Sequence, residues 1–223
     1  MLEFKYDTQL LIEGENLDED KISEYFTNNF NGDCLLAVGD EELIKIHFHT
    51  NEPWKVLEYC SQIGEIYDIV IEDCRYGYCH SALTCGSESI HNRNVIFRRS
   101  TMDQARILLH LKMRPDTPQK YEYILVEDIK GNAGDFIYVA PWTQFYNLGD
   151  RKDIPISYSN NITMRNIDLD CTTFFNVKKS DQYRLSDFCF EDLNIRAKKG
   201  QFDKDIVDRF VVKNVKVNSQ EVR

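Results

Sequence analysis

From Ile69 onward a six-residue pattern keeps returning, and few folds are open to a chain built that way. The segments are Ile69-Val70-Ile71-Glu72-Asp73-Cys74, Val95-Ile96-Phe97-Arg98-Arg99-Ser100, Ile124-Leu125-Val126-Glu127-Asp128-Ile129, Ile162-Thr163-Met164-Arg165-Asn166-Ile167, Phe188-Cys189-Phe190-Glu191-Asp192-Leu193 and Phe210-Val211-Val212-Lys213-Asn214-Val215. Apolar residues hold positions one, three and usually six, positions four and five are polar, and position five is often Asn or Asp. Successive starts lie 26, 29, 38, 26 and 22 residues apart, with almost no helical periodicity between them. Short strands recurring at such intervals are the signature of a solenoid, in which each turn covers the apolar face of the next. Alternation along the strand sends positions one and three inward, and Asn or Asp at position five suits a bend. The pattern predicts a right-handed parallel β-helix of about six coils over residues 74–223.

The first 73 residues read differently. Phe4 to Ile12 alternates as a strand and stops at Glu13-Gly14. Asn16 or Asp18 can cap a helix with Ile22, Tyr25, Phe26 and Phe30 at helical spacing. Cys34–Val38 and Leu43–His49 are two strands joined by Gly39-Asp40-Glu41-Glu42. Pro53 opens a second helix with Val56, Leu57, Cys60 and Ile63 on one face, and Ile66–Ile71 is a last strand shared, over 66–73, with the solenoid. The order βαββαβ predicts a small ferredoxin-like α/β domain over 1–73, so the fold class as a whole is mixed.

Charge divides the chain at the same place. Residues 1–73 carry four lysines and no arginine against eighteen acidic residues, a net charge of −14, whereas residues 74–223 sum to +4. The acidic segment repels nucleic acid and anionic membranes, and the second is too weakly basic to reverse that, so neither is an expected partner. No apolar run reaches the roughly 18 residues of a membrane span. The amino terminus as written has neither a basic leader nor an apolar signal core, which reads as cytoplasmic. Seven cysteines read as reduced thiols.

Residues Tyr6 to Gly14, Gly32 to Asp40 and, above all, Ile44-Lys45-Ile46-His47-Phe48-His49-Thr50-Asn51 resemble the carboxy-terminal region of the dihydroxyacetone-kinase-like fatty acid kinase subunit. What the resemblance implies is an accessory region contacting an acyl-binding partner protein, since the family's nucleotide site lies in a separate helical domain. His47 and His49 project from one strand face. No nearby Cys or carboxylate is clearly placed to complete a metal site with them, and no metal or cofactor is expected. Cys74, Cys79 and Cys85 lack the short knuckle of a zinc site and read as inward packing.

Residues 69–218 resemble the carboxy-terminal coils of polygalacturonase-like glycoside hydrolases, the pectin-degrading β-helix enzymes, a family that is usually exported. The carrying residues are His80 to Glu88, Asn161 to Ile167 and Cys171 to Val177. The resemblance implies action on, or binding of, a galacturonate-containing polysaccharide. His80 matches the family's catalytic-site histidine, flanked by Cys79 and Ser81 where the family has glycines. Lys112 matches the lysine of its carboxylate-binding motif, with His110 in place of the arginine. Arg106 and Arg114 are near enough to supply that cation, and Trp142, in the insertion that makes the 38-residue interval, suits stacking on a sugar ring.

Inverting hydrolysis needs two opposed carboxyl groups, and the family's aspartates would fall where this chain carries its first domain. Asp68, Glu72 and Asp73 are weak substitutes. Three readings stay open: a polygalacturonase-like hydrolase region short of its acids, an accessory protein of the fatty acid kinase type, and a non-catalytic acidic-glycan-binding module or artificial fusion.

Overall fold

The computed structural model describes residues 3–4, 6–86, 89–142, 150 and 152–222. Among them are eleven strands and two α-helices, so the protein is mainly β, with antiparallel and parallel pairing both present. Cα packing divides the chain into two compact units. The first runs to Cys74 and takes in Arg93–Ile96, and the second comprises Arg75–Asn92 and the chain from Phe97. Among the described residues no helix is long and apolar enough to cross a membrane.

The first unit holds β1 (Tyr6–Glu13), α1 (Glu19–Asn29), β2 (Gly32–Gly39), β3 (Leu43–Thr50), α2 (Pro53–Ile63) and β4 (Glu65–Glu72), the βαββαβ order expected. Its strands pair antiparallel in the order β4-β1-β3-β2. Of the two capping candidates Asp18 does the work, its carboxylate accepting from the Lys21 N–H at 3.1 Å. Asn16 instead takes a left-handed backbone, φ 58°. Pro53 sits in the first turn of α2, where its missing N–H costs nothing. Each helix turns one apolar stripe inward, Ile22 and Phe26 on α1 and Val56 and Cys60 on α2. Leu10, Ile12, Ile44, Ile46 and Phe48 are buried with them. Alternation then leaves Asp7, Gln9, Lys45, His47 and His49 on the opposite sheet face.

The second unit is built from β5 (Arg75–Cys85), β6 (His91–Met113, apart from Arg93–Ile96), β7 (Lys120–Pro141), β8 (Ser157–Val177), β9 (Tyr183–Lys199) and β10 (Val211–Val217), with β11 (Gln220–Val222) antiparallel at the end. The others pair in chain order, and β5 with β6, β7 with β8, β8 with β9 and β9 with β10 are parallel. The register stacks the repeats on one another: Ile124 lies beside Ile162 and Ile162 beside Phe188. Position-one and position-three residues are buried through the middle of the unit, Ile124, Val126, Ile162, Met164, Phe188 and Phe190 being at most 1% exposed.

Strands of 17–23 residues run on because they bend rather than stop. The position-five residues Arg99, Asp128, Asn166, Asp192 and Asn214 all have positive φ, between 48° and 56°. So do the residues just before position one, Tyr123, Asn161, Asp187 and Arg209, between 53° and 58°. In the first unit Asp68, Asp73 and Asn94 do the same. Most are Asn or Asp, the side chains that tolerate this conformation. The outer bend also carries a polar ladder. Asn166 Nδ2 donates to Asp128, and Asn214 Nδ2 donates to Asp192 Oδ1 at 2.7 Å. One position earlier, Glu127, Arg165, Glu191 and Lys213 alternate in sign across four strands, Arg165 reaching Glu127 at 2.7 Å and Lys213 reaching Glu191 at 3.6 Å.

Glycine is required at Gly131. Its φ is +121°, and a Cβ there would stand 2.0 Å from the Met102 carbonyl oxygen. The interior changes along the unit, from mostly Leu, Met and Cys early (Leu83, Cys85, Leu109, Leu111, Met113, with Phe97 the exception) to phenylalanine late (Phe136, Phe174, Phe188, Phe190). All seven cysteines are free thiols, and burial pushes Cys85 and Cys60 up to about 12.

Candidate functional site

Seven residues beyond each position-five bend, the second unit places one functional group on each neighbouring strand. Counting from Asp73, Arg99 and Asp128 gives His80, Arg106 and Asp135. His80 and Arg106 are side by side, between the pairs Cys79–Ala105 and Ser81–Ile107. Asp135 pairs with Thr173, and Tyr138 with Asn176. Together with His110 and Trp142 these side chains line a cavity of about 450 Å³, within the roughly 300–1,000 Å³ usual for small-molecule sites.

The cavity therefore brings together four of the six residues expected from sequence: His80, Arg106, His110 and Trp142. Lys112 joins them through Trp142, its ammonium lying 4.2 Å from the indole centroid. Arg114 does not take part. Its guanidinium forms a two-pronged pair with Asp116, Nε to Oδ1 at 2.8 Å and Nη2 to Oδ2 at 2.6 Å, and its N–H donates to Gln119 Oε1. The turn at Pro115 folds the acid back onto the arginine, which spends the charge the sequence offered to a ligand. Residues 143–149 and 151 of the insertion around Trp142, and Ser87 and Glu88 of the histidine segment, lie outside the described residues.

The electrostatics of the cavity follow from burial. His110 is 2% exposed, and that burial, with Lys112 and His80 adding to it, pushes its pKa down to about 3. Desolvation first, then Arg106 and Lys112, holds His80 below the ordinary histidine value. Both imidazoles are thus neutral at pH 7. His80 Nδ1 lies 2.8 Å from Ser81 Oγ, which lies a longer 3.5 Å from His110 Nδ1. The His110 ring also meets Tyr138 and Trp142, at centroid distances of 4.9 and 6.1 Å. Asp135 accepts from the Asn176 amide at 3.1 Å.

Asp135 is the residue sequence reasoning missed. The search for acids settled on Asp68, Glu72 and Asp73, and Asp68 and Asp73 are spent as left-handed bends. The signal for Asp135 was its place in the repeat, one strand along from Arg106. Such an arrangement can hold a hydroxylated ring bearing a carboxylate. Arg106 supplies the cation, Trp142 an apolar wall, and Asp135 with Asn176 partners for hydroxyls.

In the first unit the exposed sheet face gathers a second cluster. His47 Nδ1 lies 3.2 Å from Asp7 Oδ1 and His49 Nδ1 lies 3.1 Å from Asp33 Oδ1, with the two rings 4.9 Å apart. One donor atom from each of Asp7, His47 and His49 falls within 4.8 Å of the others, and Asp33, Cys34 and His49 form a second such set. The sequence reading found no third donor beside the histidines. Strand pairing supplies it, since Asp7 and Asp33 both lie opposite His49 on neighbouring strands. Two imidazoles and a carboxylate are a donor set that suits a borderline divalent cation.

Comparison with known proteins gives matches that cover only part of the chain. A 44-residue stretch is 46% identical to uncharacterized proteins of Staphylococcus aureus, among them those of strains USA300, NCTC 8325 and COL. It makes up 20% of this chain and spans only 8% of the relatives' length. Residues 3–81 match the family model for the middle domain of FakA-like fatty acid kinase proteins, so the resemblance read from Tyr6 to Asn51 belongs to the middle of such a protein rather than to its carboxy-terminal region.

Proposed function

We propose that this protein is an accessory protein of the fatty acid kinase type, whose first unit engages an acyl-binding partner protein. The observation that carries the reading is the FakA-like middle-domain match over residues 3–81. Two further features support it. The first 73 residues are strongly acidic, and the sheet face away from the helices exposes Leu36, Val38 and Leu43 around the histidine pair. Exposed apolar residues rimmed by charge suit a protein partner. The test is co-purification of the full chain with a fatty-acid-loaded binding protein, followed by sedimentation of the mixture. A stable complex weakened by Leu36→Asp or Val38→Asp supports the reading. Independent sedimentation of the two proteins at tens of micromolar removes it.

A second reading concerns the other unit, and the cavity is what favours it. The parallel register and paired left-handed bends support a right-handed parallel β-helix, and the cavity of His80, Arg106, His110 and Trp142 supports binding of an acidic glycan. Calorimetric titration with oligogalacturonate tests this directly. Heat that Arg106→Ala and Trp142→Ala both abolish supports it, and a flat titration refutes it.

A further inference from the structure

Inverting hydrolysis of a glycosidic bond calls for two opposed carboxyl groups. Among the described residues lining the cavity, Asp135 is the one carboxylate. What stands there in place of a second acid is a neutral imidazole beside a guanidinium. His80 and Arg106 occupy facing positions on adjacent parallel strands, which sets their backbones about 4.8 Å apart with both side chains on one face. At that separation one group can hold a carboxylate while the other reaches the hydrogen on the carbon next to it.

Neutral imidazoles at His80 and His110 allow a proton chain through Ser81 in either direction, and the reaction below uses one of the two. In that direction His110 Nδ1 accepts the Ser81 hydroxyl at 3.5 Å. Ser81 Oγ then accepts the Nδ1–H of His80 at 2.8 Å. That tautomer leaves the lone pair of His80 on Nε2, the nitrogen not taken up by Ser81. His80 is itself exposed, so this nitrogen is open to a ligand.

We propose that the cavity is a site of β-elimination on an O4-linked uronic acid chain. The proposal rests on the acidic-glycan reading of this unit and adds a reaction to it. A sugar carboxylate acidifies the hydrogen at C5, and the neighbouring C4 carries the glycosidic oxygen as leaving group. Arg106 holds the carboxylate and stabilises the charge that grows on it as the C5–H bond breaks. His80 Nε2 takes that proton. The electron pair forms the C4=C5 double bond, and the C4–O4 bond breaks with its pair moving onto O4. Tyr138, packed against His110 at 4.9 Å between centroids, gives O4 a proton and recovers one from the His80 imidazolium through solvent. Asp135 and Asn176, bonded to each other at 3.1 Å, face the ring hydroxyls. No water is consumed, and the products are a shortened chain with a new reducing end and a 4,5-unsaturated uronate.

The probe is oligogalacturonate of defined length, mixed with the full chain. Three readouts run together: calorimetric binding, new reducing ends, and the ultraviolet absorbance of a double bond conjugated to a carboxylate. The expected result is absorbance rising in step with reducing ends. It falls about a hundredfold or more in His80→Ala, with binding kept, and Tyr138→Phe slows it as well. His80→Gln, which preserves size and polarity, gives the same loss while circular dichroism stays that of the parent. Reducing ends without absorbance mean hydrolysis and overturn the proposal. Binding without either product overturns it too and leaves the acidic-glycan reading standing. Absence of binding removes both.

Discussion

Acidification should weaken this fold through one buried imidazole, and the size of the effect can be worked out. His110 is 2% exposed, and its pKa in the folded chain is pushed down to about 3, chiefly by burial. In the unfolded chain it returns to roughly 6.5. A depressed folded pKa means that the stability contribution is complete above the unfolded value and drains away as pH falls toward the folded one. Between those limits the unfolded chain binds a proton that the folded chain refuses, at up to about 1.4 kcal/mol per pH unit. Two units below the unfolded value, at about pH 4.5, the loss is roughly 3 kcal/mol, a large part of the 5–15 kcal/mol that domains usually have. The assay is urea unfolding by circular dichroism at several pH values, for the parent and for His110→Gln. Carboxylates contribute equally to both, so the difference between the two curves isolates the imidazole. The parent should lose stability faster than the variant below pH 6.5. Parallel curves would refute the claim that His110 stays neutral in the fold.

Three further outcomes are expected. Arg165→Glu places three acids in a row with Glu127 and Glu191. At strand spacing, about 4.8 Å, each like pair costs roughly 1 kcal/mol in a water-like dielectric, and with the lost ion pair the total is about 2–3 kcal/mol. Urea midpoints should show the loss shrinking in high salt and recovering in the double variant with Glu127→Lys. Gly131→Ala forces a Cβ to 2.0 Å from the Met102 carbonyl oxygen at a φ of +121°. A cost of about 3 kcal/mol or more follows, seen in calorimetry as a fall in Tm of roughly 6–12 °C. Cobalt(II), used as a spectroscopic probe, should bind the cluster of Asp7, His47 and His49 with visible absorption that His47→Ala and His49→Ala both remove; a spectrum unchanged by either variant would place the ion elsewhere.

Where the sequence spoke plainly, it did so through spacing. Position five of the repeat marked Asp73, Asp128, Asn166, Asp192 and Asn214 as bends, and Arg99 was carried along by its place in the pattern; all six have positive φ. The matching bend before position one escaped notice. Tyr123 and Arg209 give no local signal for left-handed backbone, although Asp68, Asn94, Asn161 and Asp187 do. At the cavity, His80, Arg106, His110 and Trp142 were legible because their side chains are rare and distinctive. Asp135 was not, because an aspartate outside the six-residue repeats looks like any surface acid until the fold sets it one strand from Arg106. Arg114 misled for a related reason: only the folded turn shows that Asp116 claims it. In the first unit, helix and strand order could be read from apolar period. The carboxylate partners of His47 and His49 could not, since they come from strands far apart in sequence.

The aromatic interior at the late end of the second unit joins strands that are made well apart in time. Phe136, Phe174, Phe190, Phe202 and Phe210 meet ring to ring at 4.8 to 6.1 Å, while the earlier strands, Phe97 and Tyr121 apart, bury smaller and softer side chains. This ring cluster is therefore complete only once β7, β9 and the start of β10 have all been made. At usual elongation rates, Phe210 emerges about 4–15 s after Phe136. Until β8, β9 and β10 are in place the far edge of β7 stays open to another chain, so slower elongation between Phe136 and Phe210 lengthens the time at risk of edge-to-edge aggregation.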